Sequence, residues 1–219
     1  MDKQKELASR LLYLPLDIQE KVLLWLAYRG LKPVSEITVE RRGNIMSLLR
    51  RGVKIVSTYN YNSPKIKRVR KWVRDAGLFR YAEHGHHTSW HVGKDKNNVV
   101  ESTKILHKFD YENEVKSGLL LGYPEESAKA YARNRGKSEN EAMKEMVGTG
   151  SLVYKDPYLK DKYYTPYLFY NMPKNRVVED SKVAQKWADA IREEVPTLAK
   201  WFERHETERR KKDQKISIG

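Results

Sequence analysis

Ser63-Pro-Lys-Ile-Lys-Arg-Val-Arg-Lys-Trp-Val-Arg-Asp-Ala-Gly77 declares a helix at both ends and a two-sided one between them. Ser63 is a capping residue, and Pro64 stands at the first helical position, where its missing N–H costs nothing. Gly77 supplies the left-handed stop. At about 100° per residue, Ile66, Val69, Trp72, Val73 and Ala76 fall within roughly 120° of arc. Lys67, Arg68, Arg70, Lys71 and Arg74 fill the opposite side. One side packs and the other is cationic.

Working outward, Leu78-Phe-Arg-Tyr-Ala-Glu83 and Thr88-Ser-Trp-His-Val92 read as two strands of a hairpin joined at His84-Gly-His-His87. Before the helix, Val53-Lys-Ile-Val-Ser-Thr-Tyr59 alternates and is rich in β-branched residues, which predicts another strand. Strand, helix and hairpin form a compact α+β unit. Their order resembles that of winged-helix DNA binders. Nearer the N-terminus, the spacing predicts a helix over Leu16–Tyr28 closed by Gly30. A second is expected from the cap Ser35 to Arg51, with Ile37, Ile45, Leu48 and Leu49 inward.

Beyond the hairpin the chain reads as mostly helical. Helices are predicted over Asn98–His107, continued by Asp110–Lys116, then Glu125–Ala132 opened by Pro124, and Glu139–Val147. A last one runs from Ser181 to Phe202 or beyond, broken at Pro196. The tail from about residue 206 has Glu208–Lys215 without an apolar side chain and is expected to fray. The fold class expected is α+β: N-terminal helices, a strand–helix–hairpin unit, and a mostly helical C-terminal half. The division expected is a basic unit over 1–97 and a helical unit over 98–219.

Charge gives this layout its functional direction. Between Val53 and Arg80 eight cations (Lys54, Lys65, Lys67, Arg68, Arg70, Lys71, Arg74, Arg80) face one acid, Asp75, which is +7 of the chain's formal +14. Such a concentration is the footprint of a protein that meets polyanions. Ordinary solvated helix faces mix signs to gain i,i+4 pairs, so the scarcity of acids favours phosphate contact over a plain surface. Arg68, Arg70 and Arg74 also suit bidentate contacts to phosphate or guanine. Zero cysteines exclude disulfides, thiolate metal sites and a cysteine nucleophile. No apolar run approaches the roughly 20 residues of a membrane span. Met1-Asp-Lys-Gln-Lys-Glu6 carries no secretion signal, so a cytoplasmic location is expected and a membrane partner is not.

Three further constellations carry chemistry. Glu83-His-Gly-His-His-Thr-Ser-Trp-His91 offers His84, His86 and His91, with Glu83, as metal ligands for a metal-assisted hydrolase or nuclease. The spacing matches no standard ligand pattern. The alternative is a polar turn whose His86 and His87 touch phosphate beside the basic helix, in a manner sensitive to pH near 6. Tyr154, Tyr158, Tyr163, Tyr164, Tyr167, Phe169 and Tyr170 alternate with Lys155, Lys160 and Lys162, suiting either base stacking or core packing. Gly148-Thr-Gly-Ser151 lacks the Gly-Lys-Ser/Thr ending of a phosphate loop. Glu125 and Glu126 fit a first helical turn, where the dipole favours acids, as well as an acid–base pair.

Gly118-Leu-Leu-Leu-Gly-Tyr-Pro124 resembles the signature of an uncharacterised, mainly archaeal protein family. The resemblance extends over about 75–202, through Trp90-His-Val-Gly-Lys-Asp95, Phe109-Asp-Tyr-Glu-Asn-Glu114, Tyr167-Leu-Phe-Tyr-Asn-Met-Pro173 and Asp180-Ser181. Where relatives place cysteines, this chain has Glu125, Glu126 and Lys174, so no thiolate role carries over. The resemblance implies fold and compartment only.

These readings converge on a non-catalytic nucleic-acid-binding protein that needs no cofactor. Its interface is expected to comprise Lys54, Lys65, Lys67, Arg68, Arg70, Lys71, Arg74, Arg80, His86 and His87. The helix-then-hairpin order leans to DNA and the tyrosines lean to RNA. A structural or assembly protein of a virus or plasmid, with self-association into a homo-oligomer, is one alternative; the metal-assisted enzyme is the other.

Overall fold

The fold rests on a computed structural model that describes residues 2–41, 63–84, 87–105, 108, 110–137, 141–142, 145–147, 167, 169 and 172–216. Helix α1 (Lys3–Leu12) is capped by Asp2, whose carboxylate accepts from the Gln4 N–H at 3.0 Å. Helix α2 (Ile18–Arg29) ends at Gly30 with φ +68°, as its sequence predicts. Every residue from Glu20 to Ala27 is buried, so α2 is covered on all sides rather than along one stripe.

The helix expected to start at Ser35 is instead a strand, β1 (Ser35–Arg41). Ile37 and Val39 alternate with polar residues and are 0% and 1% exposed. The Ser35 hydroxyl, read as a cap, donates to the Leu23 carbonyl at 2.8 Å. Period two therefore wins over capping chemistry, because β1 has a partner strand some fifty residues downstream. The remainder of that predicted helix, the strand predicted over Val53–Tyr59 and Lys54 lie outside the described residues.

Helix α3 (Pro64–Asp75) follows its sequence closely: Ser63 Oγ accepts from the Ile66 N–H at 3.2 Å and Gly77 takes φ +70°. Ile66, Val69, Trp72 and Val73 are the buried side. The hairpin is also realised, as β2 (Phe79–His84) and β3 (His87–Gly93). The sheet order is β1-β3-β2, antiparallel throughout, with Ile37 opposite Trp90 and Tyr81 opposite His91.

The second half supplies α4 (Lys96–Ile105), α5 (Tyr111–Leu120) and α6 (Glu125–Asn134). Asp110 caps α5 through the Asn113 N–H, so α5 starts afresh rather than continuing α4. Met146–Val147, expected to end a helix, form a short strand β4 paired with β5 (Met172–Pro173). Two long helices close the fold: α7 (Val177–Glu194) and α8 (Pro196–Ile216), separated at the predicted proline. The tail expected to fray from about 206 is helical to Ile216. Together these elements make an α+β fold. One buried cluster joins Leu7, Trp25, Trp72 and Trp90 to Trp187, Leu198 and Phe202, drawing on both sides of position 97. No described helix is long and apolar enough to cross a membrane.

One buried side chain joins the halves, and one glycine sets the packing within the second. Lys32 is 2% exposed; its Nζ donates to the Leu121 carbonyl and lies 4.4 Å from the Trp187 ring centroid, 4.8 Å from Tyr123 and 6.0 Å from Phe169. Gly118, in the Gly-Leu-Leu-Leu-Gly-Tyr-Pro stretch, lets α5 approach α6: a Cβ there would stand 2.7 Å from Ala128 Cβ. Gly118→Ala should therefore destabilise the fold by about 1–3 kcal/mol, the cost of overpacking, even though alanine is the better helix former by about 1 kcal/mol. Urea unfolding of the two proteins checks this; equal midpoints would mean that the α5–α6 contact gives way freely.

Candidate nucleic-acid interface

The cationic side of α3 faces outward. Lys65, Lys67, Arg68, Lys71 and Arg74 are exposed and Arg70 is half-buried. Lys67, Lys71 and Arg74, at i, i+4 and i+7, form a single ridge along the helix. The acid that interrupts this charge is diverted. Asp75 accepts from Arg10 of α1 at 2.6 Å, while Arg74 Nε stands 3.7 Å away. The Arg10 guanidinium holds the Asp75 carboxyl below the usual carboxylate range. One acid of α3 is thus neutralised from the neighbouring helix, and the ridge keeps its sign.

Helix α1 is joined to α3 at three points. Besides Arg10–Asp75, Trp72 Nε1 donates to the Leu7 carbonyl at 3.0 Å, and Arg68 Nη2 donates to the Tyr13 carbonyl at 2.7 Å. Arg68 therefore has a structural duty that its sequence position does not reveal. It flanks the ridge on the side of α1 and ties down the end of that helix. Arg10 and Tyr13 belong to the same surface, and nothing in the spacing of α3 announces either.

Arg80 belongs to β2 rather than to α3. It sits opposite Val92 on the sheet and its guanidinium stacks 4.6 Å from the Trp90 ring centroid, half-buried. That is a cation–π contact on the core side of the hairpin. Lys54 and His86 lie outside the described residues; His84 and His87 end β2 and begin β3, and their side chains are not described.

His91 is packed away from the turn. It is 2% exposed, and its Nδ1 lies 2.9 Å from Ser102 Oγ on α4. Ser102 Oγ donates to the Val99 carbonyl at 2.8 Å, so it accepts from His91, which places the ring proton on Nδ1. Among the described residues no three His, Asp or Glu side chains gather as a metal site. Glu125 and Glu126 pair with Lys129 at 2.7 and 3.1 Å, the arrangement of first-turn surface acids.

Of the aromatic segment, Tyr167 and Phe169 are described. Tyr167 is fully buried, 5.0 Å from the Phe202 ring centroid, and Phe169 packs on Trp187 at 5.9 Å. Burial raises the Tyr167 phenol well above its ordinary value. Both rings are core, not stacking surface. No protein-family model matches the chain, and no curated protein or solved structure matches it either.

Proposed function

We propose that the chain is a non-catalytic, cytoplasmic nucleic-acid-binding protein that meets the phosphate backbone with α3. The observation that carries this reading is the ridge Lys67–Lys71–Arg74. It is exposed and cationic, and its neighbouring acid is bonded to Arg10. Lysines dominate the ridge, and a lysine ammonium meets phosphate as a point charge without the planar fork that reads base edges. Binding is therefore driven by counterion release and tolerant of sequence. The further cation Arg70, one step round the helix from Arg74, widens the same face, whereas Lys65 is exposed at the first turn on another side of the helix.

The test is a titration of labelled nucleic acid at salt concentrations between about 50 and 200 mM. The expected result is affinity that falls steeply and linearly in a logarithmic plot, equally for unrelated sequences. Failure to bind at the low end of that range would remove α3 from consideration. Marked preference for one sequence would place the recognition elsewhere than on the ridge.

A further inference from the structure

Tyr13 is the most exposed large apolar side chain among the described residues, at 71%, and it adjoins the cationic face. Its backbone is held on both sides: the N–H donates to the Arg10 carbonyl at 3.3 Å and the carbonyl accepts from Arg68 at 2.7 Å. Its neighbours Leu11 and Leu14 are buried. The ring therefore projects from a fixed backbone, beside the arginine that flanks the ridge.

We propose that Tyr13 is a base-stacking residue at the edge of the α3 face, and that the polyanion preferred there is single-stranded nucleic acid. This rests on the reading of α3 given above and names its ligand class. A duplex keeps the π-faces of its bases inside the stack and offers a protein only edges and phosphates. A single strand offers each base face to an aromatic ring, whatever the base. Cations that follow the backbone with a ring beside them are the two parts such binding needs. Because the Tyr13 backbone is already fixed, little ordering is left to lose on binding. The other exposed rings of the first half are placed differently. Phe79 and Tyr81 lie opposite Gly93 and His91, the residues that Val99 and Ser102 of α4 approach. Trp90 and Val92, of opposite parity on β3, join the core with α3.

Fluorescence anisotropy with a short single-stranded DNA, the RNA of the same sequence, the matching duplex and inorganic polyphosphate tests the proposal. The proteins compared are the wild type, Tyr13→Ala and Tyr13→Phe. Tyr13→Ala should weaken binding to both single strands by roughly 5- to 150-fold, as expected for one stacked base. It should leave duplex and polyphosphate affinity and the salt slope unchanged, and Tyr13→Phe should retain single-strand binding. A duplex bound as tightly as the single strands, with Tyr13→Ala silent, overturns the stacking assignment and leaves the phosphate-binding ridge standing. So does an equal loss on all four ligands, which would mean that the substitution disturbs the Arg68 anchor instead. Absence of binding to any of the four overturns both readings together.

Discussion

Between pH 7 and 9.5 the protein should become more stable, by roughly 1.4 kcal/mol for each pH unit at most from Lys32, and Lys32→Met should remove that share of the gain, leaving only the smaller one from Lys21, which burial also lowers. Lys32 is the main cause. Burial pushes its ammonium from the ordinary 10.5 down to about 7. The Leu121 carbonyl and the faces of Trp187, Tyr123 and Phe169 favour the charged form, but burial outweighs them. In the unfolded chain Lys32 stays protonated throughout this window, whereas the folded protein releases the proton. The unfolded state then binds more protons, so stability rises with pH.

Above about pH 10 the trend reverses. Unfolded tyrosines ionise there, while burial has raised Tyr123 to about 12 and also raised Tyr167. Urea melts of wild type and Lys32→Met at pH 7, 8 and 9 isolate the lysine, because every other titration is common to both proteins. In the variant the Leu121 carbonyl loses its donor, a constant cost of about 1–3 kcal/mol that does not vary with pH. A difference between the two proteins that stayed flat over this range would mean that Lys32 keeps its proton in the fold.

The second large effect concerns the ridge. Replacing Lys67, Lys71 and Arg74 by alanine should lower nucleic-acid affinity roughly 10²- to 10³-fold at about 0.1 M salt and reduce the logarithmic salt slope by about 2–3. Each lost phosphate contact removes about 0.9 from the slope for duplex and about 0.7 for a single strand, so slope and affinity must change together. The substituted side chains are exposed, and Asp75 keeps Arg10 as its partner, so the fold should persist. Lower affinity at an unchanged slope would mean that the phosphates are met by other cations. The comparison also separates the ridge from Tyr13, whose removal should leave the slope alone.

What the sequence made legible follows from the range of the interactions. The signals of α3 all lie within fifteen residues: a serine cap, a proline, five apolar positions on one side and a glycine. Helix and hairpin were therefore readable locally. Ser35–Arg41 was not, because serine serves a helix cap and a buried strand end equally well. Only the register against β3 decides between them. The proposed interface divides in the same way. The ridge is visible in the spacing of α3, whereas Arg10 and Tyr13 join it through contacts with residues 65 and 55 positions away. Arg80 stacks on Trp90, a contact that depends on strand register and that the charge pattern alone does not reveal. Lys32 gave no local sign at all. A lysine between Leu31 and Pro33 looks like loop solvation until three distant rings close on it.

The three bonds between α1 and α3 also set an order of events during synthesis. Their partners lie 55 to 65 residues apart, so α1 leaves the ribosome well before the helix that covers it. At about 5–20 residues per second this leaves an interval of several seconds. During it Leu7 and Leu11, buried in the finished protein, have no α3 to pack on. Until residue 75 has been made that side of α1 stays uncovered, and a translational pause in that stretch should lower the yield of native protein.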